Sequence, residues 1–313
     1  MKTAFLFPGQ GAQTVGMGAD ITQAFPAAAE LFEKANEIVG FDLRKVCFEG
    51  PAERLNSTTM SQPAIFVTSA ALLEVLKTNS GTQGIRPDVT AGLSMGEYTA
   101  LYAAGVVTFK DGLRLVRKRG EAMRAAADAT AGSMVSIVGL DEEKVRQLCA
   151  EAGQGELLEP VNFNCPGQIV ISGSRGACER AERLAEKYGA IKAVRLEVAG
   201  AFHTPMMAIA AEALGQALRQ AGISPAQSVR TIANISADYY RTAEGIVEGL
   251  TRQLTSPVLW QKCMERLLAD GVQEFYEIGP GRVLTGLMKR INRKTKVINI
   301  SDLASVRALV GST

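Results

Sequence analysis

Histidine is almost absent from this sequence: His203 is the only one among 313 residues. Charge of one sign is lacking too, since 34 Lys+Arg stand against 32 Asp+Glu for a net +2. Bulk electrostatics therefore gives no drive toward nucleic acid or a membrane, and any partner must be recognised locally. Five cysteines, Cys47, Cys149, Cys165, Cys178 and Cys263, are odd in number and scattered, with no CxxC pair. That argues against a disulfide framework and a structural zinc site. The opening MKTAFLFPGQG has one lysine and an apolar run broken by Pro8 and Gly9, too short for a secretory leader. No later stretch reads as the roughly 18 apolar residues of a membrane span, so the expectation is a cytoplasmic protein. Repeats, low-complexity segments and long charge runs are missing as well.

What is present is an ordinary globular composition, 47% hydrophobic and 21% charged, able to bury one large core or two unequal ones. Thr3 to Phe7 reads as a buried strand closed by a Pro-Gly turn, and Ala64 to Thr78 carries apolar residues at helical spacing. Val89 to Leu93 is another short apolar run, followed by Ser94 in a glycine-flanked turn and a helical segment, Glu97 to Gly105. Strand, tight turn and helix in that order indicate an α/β architecture. From about 130 to 198 the pattern runs β-α-β-β-α-β, the ferredoxin-like split motif, before helices and a last strand-turn, Phe275 to Arg282. The expected organisation is a discontinuous larger domain, 1–129 and 199–313, with a small domain, 130–198, inserted into it.

Gly92-Leu93-Ser94-Met95-Gly96 matches the G-x-S-x-G nucleophile elbow. A turn this tight leaves no room for flanking side chains, so glycines sit two residues either side and hold the serine oxygen out at the strand tip. The following helix aims its unpaired N–H groups and positive dipole end at charge developing there. A Gly-Ser-Gly turn without chemistry is the alternative. If Ser94 is activated by histidine, only His203 can be its base. Small residues before it and Thr204-Pro205 after it suggest a loop presenting the ring in a cleft; a packed or surface histidine is the other possibility.

These residues resemble the malonyl-CoA:acyl carrier protein transacylases and the acyltransferase domains of polyketide synthases. The resemblance runs nearly end to end, through Phe7 to Gly11, Gln62-Pro63-Ala64, Gly92 to Glu97 and Arg119-Gly120. It continues through Asn162 to Gly173, Gly200 to Pro205, Gln253 to Pro257 and Glu277 to Gly281. It implies a hydrolase-like large domain with a parallel sheet and a ferredoxin-like small one. It also implies Ser94 as nucleophile, His203 as base, an oxyanion hole from the N–H groups of Gln10 and Met95, and a backbone carbonyl of Gln253 orienting His203. The partners implied are malonyl-CoA and an acyl carrier protein; the thioester supplies the activation, so neither metal nor bound cofactor is expected. The residue before the nucleophile, usually His in the fatty-acid enzymes, is Leu93 here, which resembles the discrete trans-acting acyltransferases of polyketide assembly lines.

Thr108 to Asp111 could form a capping box, and about 100° per residue then places Leu113, Val116, Gly120 and Met123 on one face with Arg119 inside that apolar arc. An arginine there needs an anionic partner. It is a structural ion pair, a snorkelling side chain, or a two-pronged clamp for a malonyl carboxylate, and the family's carboxylate-binding arginine precedes the same glycine. The pairs Gly9/Gly11 and Gly279/Gly281 do not extend into a phosphate loop and read as turns. Lys187, Lys192 and Arg195 could form a docking face for an acidic carrier or a merely solvated one. Two rivals to acyl transfer remain: a hydrolase that clears carrier proteins, which has no need of Arg119, and a non-catalytic carrier-binding module.

Overall fold

The computed structural model describes residues 1–82, 84–225 and 228–310. Its strands are β1 (Lys2–Phe7), β2 (Val89–Gly92), β3 (Gly132–Val138), β4 (Leu158–Cys165), β5 (Gln168–Ser174), β6 (Lys192–Arg195), β7 (Arg230–Thr231), β8 (Val272–Ile278) and β9 (Val297–Ile300). They form two separate sheets. A parallel sheet has the order β7-β2-β1-β8-β9, and an antiparallel one the order β4-β5-β3-β6. The central β1 is Ala-Phe-Leu-Phe beyond its first two residues, all buried. A continuous apolar run of this kind suits a parallel strand covered by helices on both faces.

One of those helices, Thr58–Thr78, corrects the reading of hydropathy. Its 21 residues reach a mean hydropathy of 1.3 over their most apolar window, so by length and composition it could cross a membrane. That window is 83% buried inside the protein. A helix that is apolar all round is equally the buried core helix of a globular domain, and here it packs against the helices Pro26–Val39 and Phe109–Asp128.

The helix Phe109–Asp128 begins at Thr108, whose hydroxyl accepts from the Asp111 N–H at 3.1 Å and donates to the Asp111 carboxylate at 2.7 Å. This is half of the expected capping box, because the carboxylate returns to the hydroxyl and not to the main-chain N–H. Leu113, Val116, Arg119, Gly120 and Met123 are buried, as the spacing required, and Arg114, Lys118 and Glu121 are exposed on the other side.

The Glu277 to Gly281 segment is a support for the N-terminal loop. Glu277 is buried and accepts from the N–H groups of Leu284 and Thr285 at 2.8 and 2.9 Å, capping the helix Val283–Ile291. Gly279, at φ 143°, packs so closely on Pro8 that a Cβ would stand 2.7 Å from its ring. Of the proposed docking bases, Lys187 pairs with Glu151, and Arg195 with Glu182 and Glu179. Their charge is largely balanced within the small sheet's own helices, which favours the solvated-face reading.

The elbow leaves no space at its glycines. A Cβ on Gly92 would stand 2.0 Å from the Gly96 carbonyl, and one on Gly96 would stand 2.3 Å from the Phe7 oxygen. Gly96→Ala should therefore cost about 1–3 kcal/mol of stability. Gly286→Ala, exposed in mid-helix with nothing within 4 Å of the added carbon, should gain roughly 0.5–1 kcal/mol. Urea midpoints of the two variants against the parent check this; a Gly96→Ala midpoint at or above the parent's contradicts the steric account.

Candidate active site

Ser94 sits between the end of β2 and the helix Gly96–Ala103, with φ 52°, in the left-handed region that a non-glycine residue enters only when its surroundings enforce it. Asn234 helps to enforce it. Its Oδ1 accepts from the Ser94 N–H at 2.7 Å, and its Nδ2 donates to the Gly92 carbonyl at 2.8 Å. One side-chain amide thus clips both arms of the turn.

His203 lies 109 residues away in sequence, yet its Nε2 is 2.9 Å from Ser94 Oγ. On the far side of the ring, Nδ1 is 2.7 Å from the main-chain oxygen of Gln253. A carbonyl oxygen can only accept, so Nδ1 carries the proton and Nε2 presents a lone pair to the serine hydroxyl. The ring is 4% exposed. Burial, helped by the Arg119 charge and opposed by the Gln253 hydrogen bond, lowers its pKa to about 4, so it is neutral at pH 7.

Arg119 meets this pair from the side. It is 1% exposed, so it does not snorkel to solvent, and no carboxylate of a described residue lies within salt-bridge distance of it, so it is not a structural ion pair. The guanidinium bonds instead to neutral acceptors: Nη1 to Gln62 Oε1 at 2.9 Å, and Nη2 to Ser94 Oγ and Gln253 Oε1, each at 3.0 Å. Its Nε has no partner. A buried guanidinium held by neutral groups, with donor capacity to spare, is poised to receive an anion.

Behind these residues lies a buried carboxylate, Glu97, in the first turn of the helix that follows the elbow. It accepts from Gln253 Nε2 at 2.8 Å, from the Asn234 N–H at 3.1 Å and from the Tyr240 hydroxyl. Burial pushes its carboxyl up to about 7, against the pull of those three donors and of Arg119. Asn234 and Tyr240 were not singled out from the sequence; nothing in composition or spacing marks them, because their partners are more than 130 residues away. Glu97 was visible only as the end of the nucleophile block. A carboxylate in the apolar start of a helix was the signal available.

The loop carrying Gln10 packs directly on the elbow: a Cβ on Gly9 would stand 2.4 Å from the Leu93 oxygen. Among the described residues, neither the Gln10 nor the Met95 N–H donates to a main-chain carbonyl. Ser94, Arg119, His203, Gln10 and Leu93 all line one cleft of about 460 Å³. Its opposite wall comes from the small sheet and its neighbours, including Asn162, Gln168 and Val170. No three His, Cys, Asp or Glu side chains among the described residues are grouped as a metal-binding set.

Residues 4–312 match the acyl transferase domain family. The malonyl CoA-acyl carrier protein transacylase of Bacillus subtilis (strain 168) is 46% identical over 310 residues, covering 99% of this chain and 96% of the relative. The solved malonyl CoA-acyl carrier protein transacylase of Coxiella burnetii superposes with a TM-score of 0.95 at 34% identity, covering 99% of this chain and 97% of the other. A malonyl-transacylase solved in complex with its type II polyketide synthase acyl-carrier protein gives a TM-score of 0.95 at 39% identity, with 100% of both chains covered. Agreement of this extent in both sequence and backbone makes the chain a member of the malonyl CoA-acyl carrier protein transacylase family, within the acyl transferase domain family.

Proposed function

We propose that the protein transfers a malonyl group from malonyl-CoA to the phosphopantetheine thiol of an acyl carrier protein through an ester on Ser94. One observation carries this reading. The Ser94 hydroxyl is shared between the single histidine, at 2.9 Å, and a buried arginine, at 3.0 Å, that has no carboxylate partner of its own.

The proposed cycle is a double displacement at Ser94, supported by the contacts of Ser94, His203 and Gln253. Ser94 Oγ attacks the thioester carbonyl while its proton passes to His203 Nε2, and the Gln253 carbonyl holds the ring and steadies the imidazolium through Nδ1–H. The N–H groups of Gln10 and Met95 face the oxyanion of the tetrahedral intermediate. Collapse breaks the carbon–sulfur bond, and the proton on His203 goes to the departing coenzyme A sulfur. The carrier's thiol then attacks the malonyl ester, giving its proton to His203, which returns it to Ser94. Arg119 grips the malonyl carboxylate throughout, so the two half-reactions share one acyl position.

The larger unit, 1–129 and 199–313, is read as a hydrolase-like domain, because its nucleophile stands at the C-terminal end of a parallel strand on a strand-turn-helix elbow. The inserted 130–198 unit is read as ferredoxin-like: in its own numbering the sheet runs second, third, first, fourth strand, all antiparallel, with helices Glu142–Gly153 and Arg175–Leu184 in the two crossovers. A cytoplasmic setting belongs to the same reading, and five free, buried cysteines suit a reducing compartment. A carrier-clearing hydrolase is less well supported, since water needs no buried guanidinium beside the serine.

Ser94→Ala should form no acyl adduct while keeping its fold; a mutant that gains one malonyl group by intact mass contradicts the assignment. His203→Ala should acylate roughly 10² to 10⁴-fold more slowly, the range for a lost general base, and stopped-flow acylation at the parental rate would make the histidine structural. Arg119→Ala should lower kcat/KM for malonyl-CoA on the order of 10 to 10³-fold, since a charge-assisted hydrogen bond is lost and a carboxylate is left unpaired. Acetyl-CoA, with no carboxylate to strand, should hold its rate or gain. Equal losses for both substrates, with an unchanged circular dichroism spectrum, would reduce Arg119 to a structural role.

A further inference from the structure

We propose that Glu97 is a positioning residue for substrate choice: by fixing the Gln253 amide it holds Arg119 in the orientation that receives a carboxylate. The inference rests on the malonyl-transfer reading and deepens it.

An amide side chain has two orientations related by a half-turn, and only one lets Gln253 accept from Arg119. Its Nε2 donates to Glu97 Oε2 at 2.8 Å and to the Ser94 carbonyl at 3.0 Å, which leaves Oε1 facing Arg119 Nη2 at 3.0 Å. Glu97 is the charged member of the two acceptors, so it dominates the choice. Its three partners, the Tyr240 hydroxyl, Gln253 Nε2 and the Asn234 N–H, all donate to it and so favour the carboxylate against the burial that raises its carboxyl.

The arrangement also answers how a guanidinium stays buried in the absence of substrate. Its counter-charge is one amide away, linked through Gln253 and not in contact. A carboxylate in direct contact would lock Arg119 into an ion pair that the substrate would have to displace. An amide oxygen is a weaker acceptor than a carboxylate. The relay therefore offsets the buried charge while leaving the guanidinium available, with Nε unpartnered.

Glu97→Gln keeps the shape and removes the charge, and one of its two terminal groups becomes a donor set among donors. The Gln253 amide then loses its charged anchor, and the hold of its Oε1 on Arg119 loosens. The expected result is a loss of selectivity: kcat/KM for malonyl-CoA falls about 10- to 10²-fold further than that for acetyl-CoA, whose own rate falls only as far as the bracing of the elbow through Asn234 and Gln253 is weakened. Tyr240→Phe removes one donor to Glu97 and should shift the malonyl-to-acetyl ratio in the same direction by a smaller factor, which keeps the test available should Glu97→Gln not fold. Malonyl and acetyl rates that fall together, or a ratio unchanged in both variants, overturn the proposal. Arg119→Ala run in parallel separates the two claims. If it leaves the ratio unchanged, the carboxylate-clamp reading itself fails; if it shifts the ratio and the Glu97 and Tyr240 variants do not, only the role of Glu97 is lost.

Discussion

A guanidinium buried without a carboxylate in contact is the constraint around which this site is built. Removing a charge from water costs several kcal/mol unless hydrogen bonds and a counter-charge compensate. Arg119 obtains the hydrogen bonds from three places distant in sequence: Gln62 on the buried core helix, Ser94 at the elbow and Gln253 at the end of the helix Ala243–Gln253. Because each acceptor is neutral, the charge is offset without being quenched. The same contacts tie the core helix, Ser94 and the residue whose carbonyl meets His203 to one side chain, so that in the proposed cycle substrate recognition and chemistry share a single hydrogen-bonded network.

The backbone has to be as constrained as the side chains. Ser94 and His203 both adopt positive φ, 52° and 63°, and both are non-glycine residues held there by neighbours. Close approach by glycine makes this possible at the elbow, where the Pro8-Gly9 loop, the strand end and the helix start pack main chain on main chain. Asn234 then clips the turn, and Glu97 links Asn234 to Gln253. Mobility in this network would be expensive: a misplacement of an ångström at the nucleophile costs orders of magnitude in rate. Rigid surroundings with a cleft open to the small sheet reconcile precise chemistry with access for a tethered acyl group.

Much of this was legible in the sequence where the signal is local. The glycine spacing about Ser94 and the position of Arg119 on an apolar helical face each follow from neighbours within a few residues, and the uniqueness of His203 from a count along the chain. The β-α-β-β-α-β rhythm likewise anticipated the four strands of the antiparallel sheet and the helices between them. What escaped was long-range. Asn234 and Tyr240 carry no local pattern, and the neutrality of the acceptors around Arg119 depends on Gln62 and Gln253 arriving from separate helices. Hydropathy misleads in one place, since the Thr58–Thr78 helix is long and apolar enough to span a membrane; its burial, and not its composition, identifies it as a core helix.

The central claim, that a serine carries a carboxylated acyl group between two thiols, is tested most directly by intact mass of the wild-type protein after separate incubation with malonyl-, acetyl- and methylmalonyl-CoA. Each sample is then treated with a pantetheine thiol acceptor. The account predicts a single covalent malonyl adduct, formed faster than the acetyl one and discharged onto the acceptor with return of the unmodified mass. No adduct with any of the three, or an adduct lost to water at the same rate with and without acceptor, would contradict it.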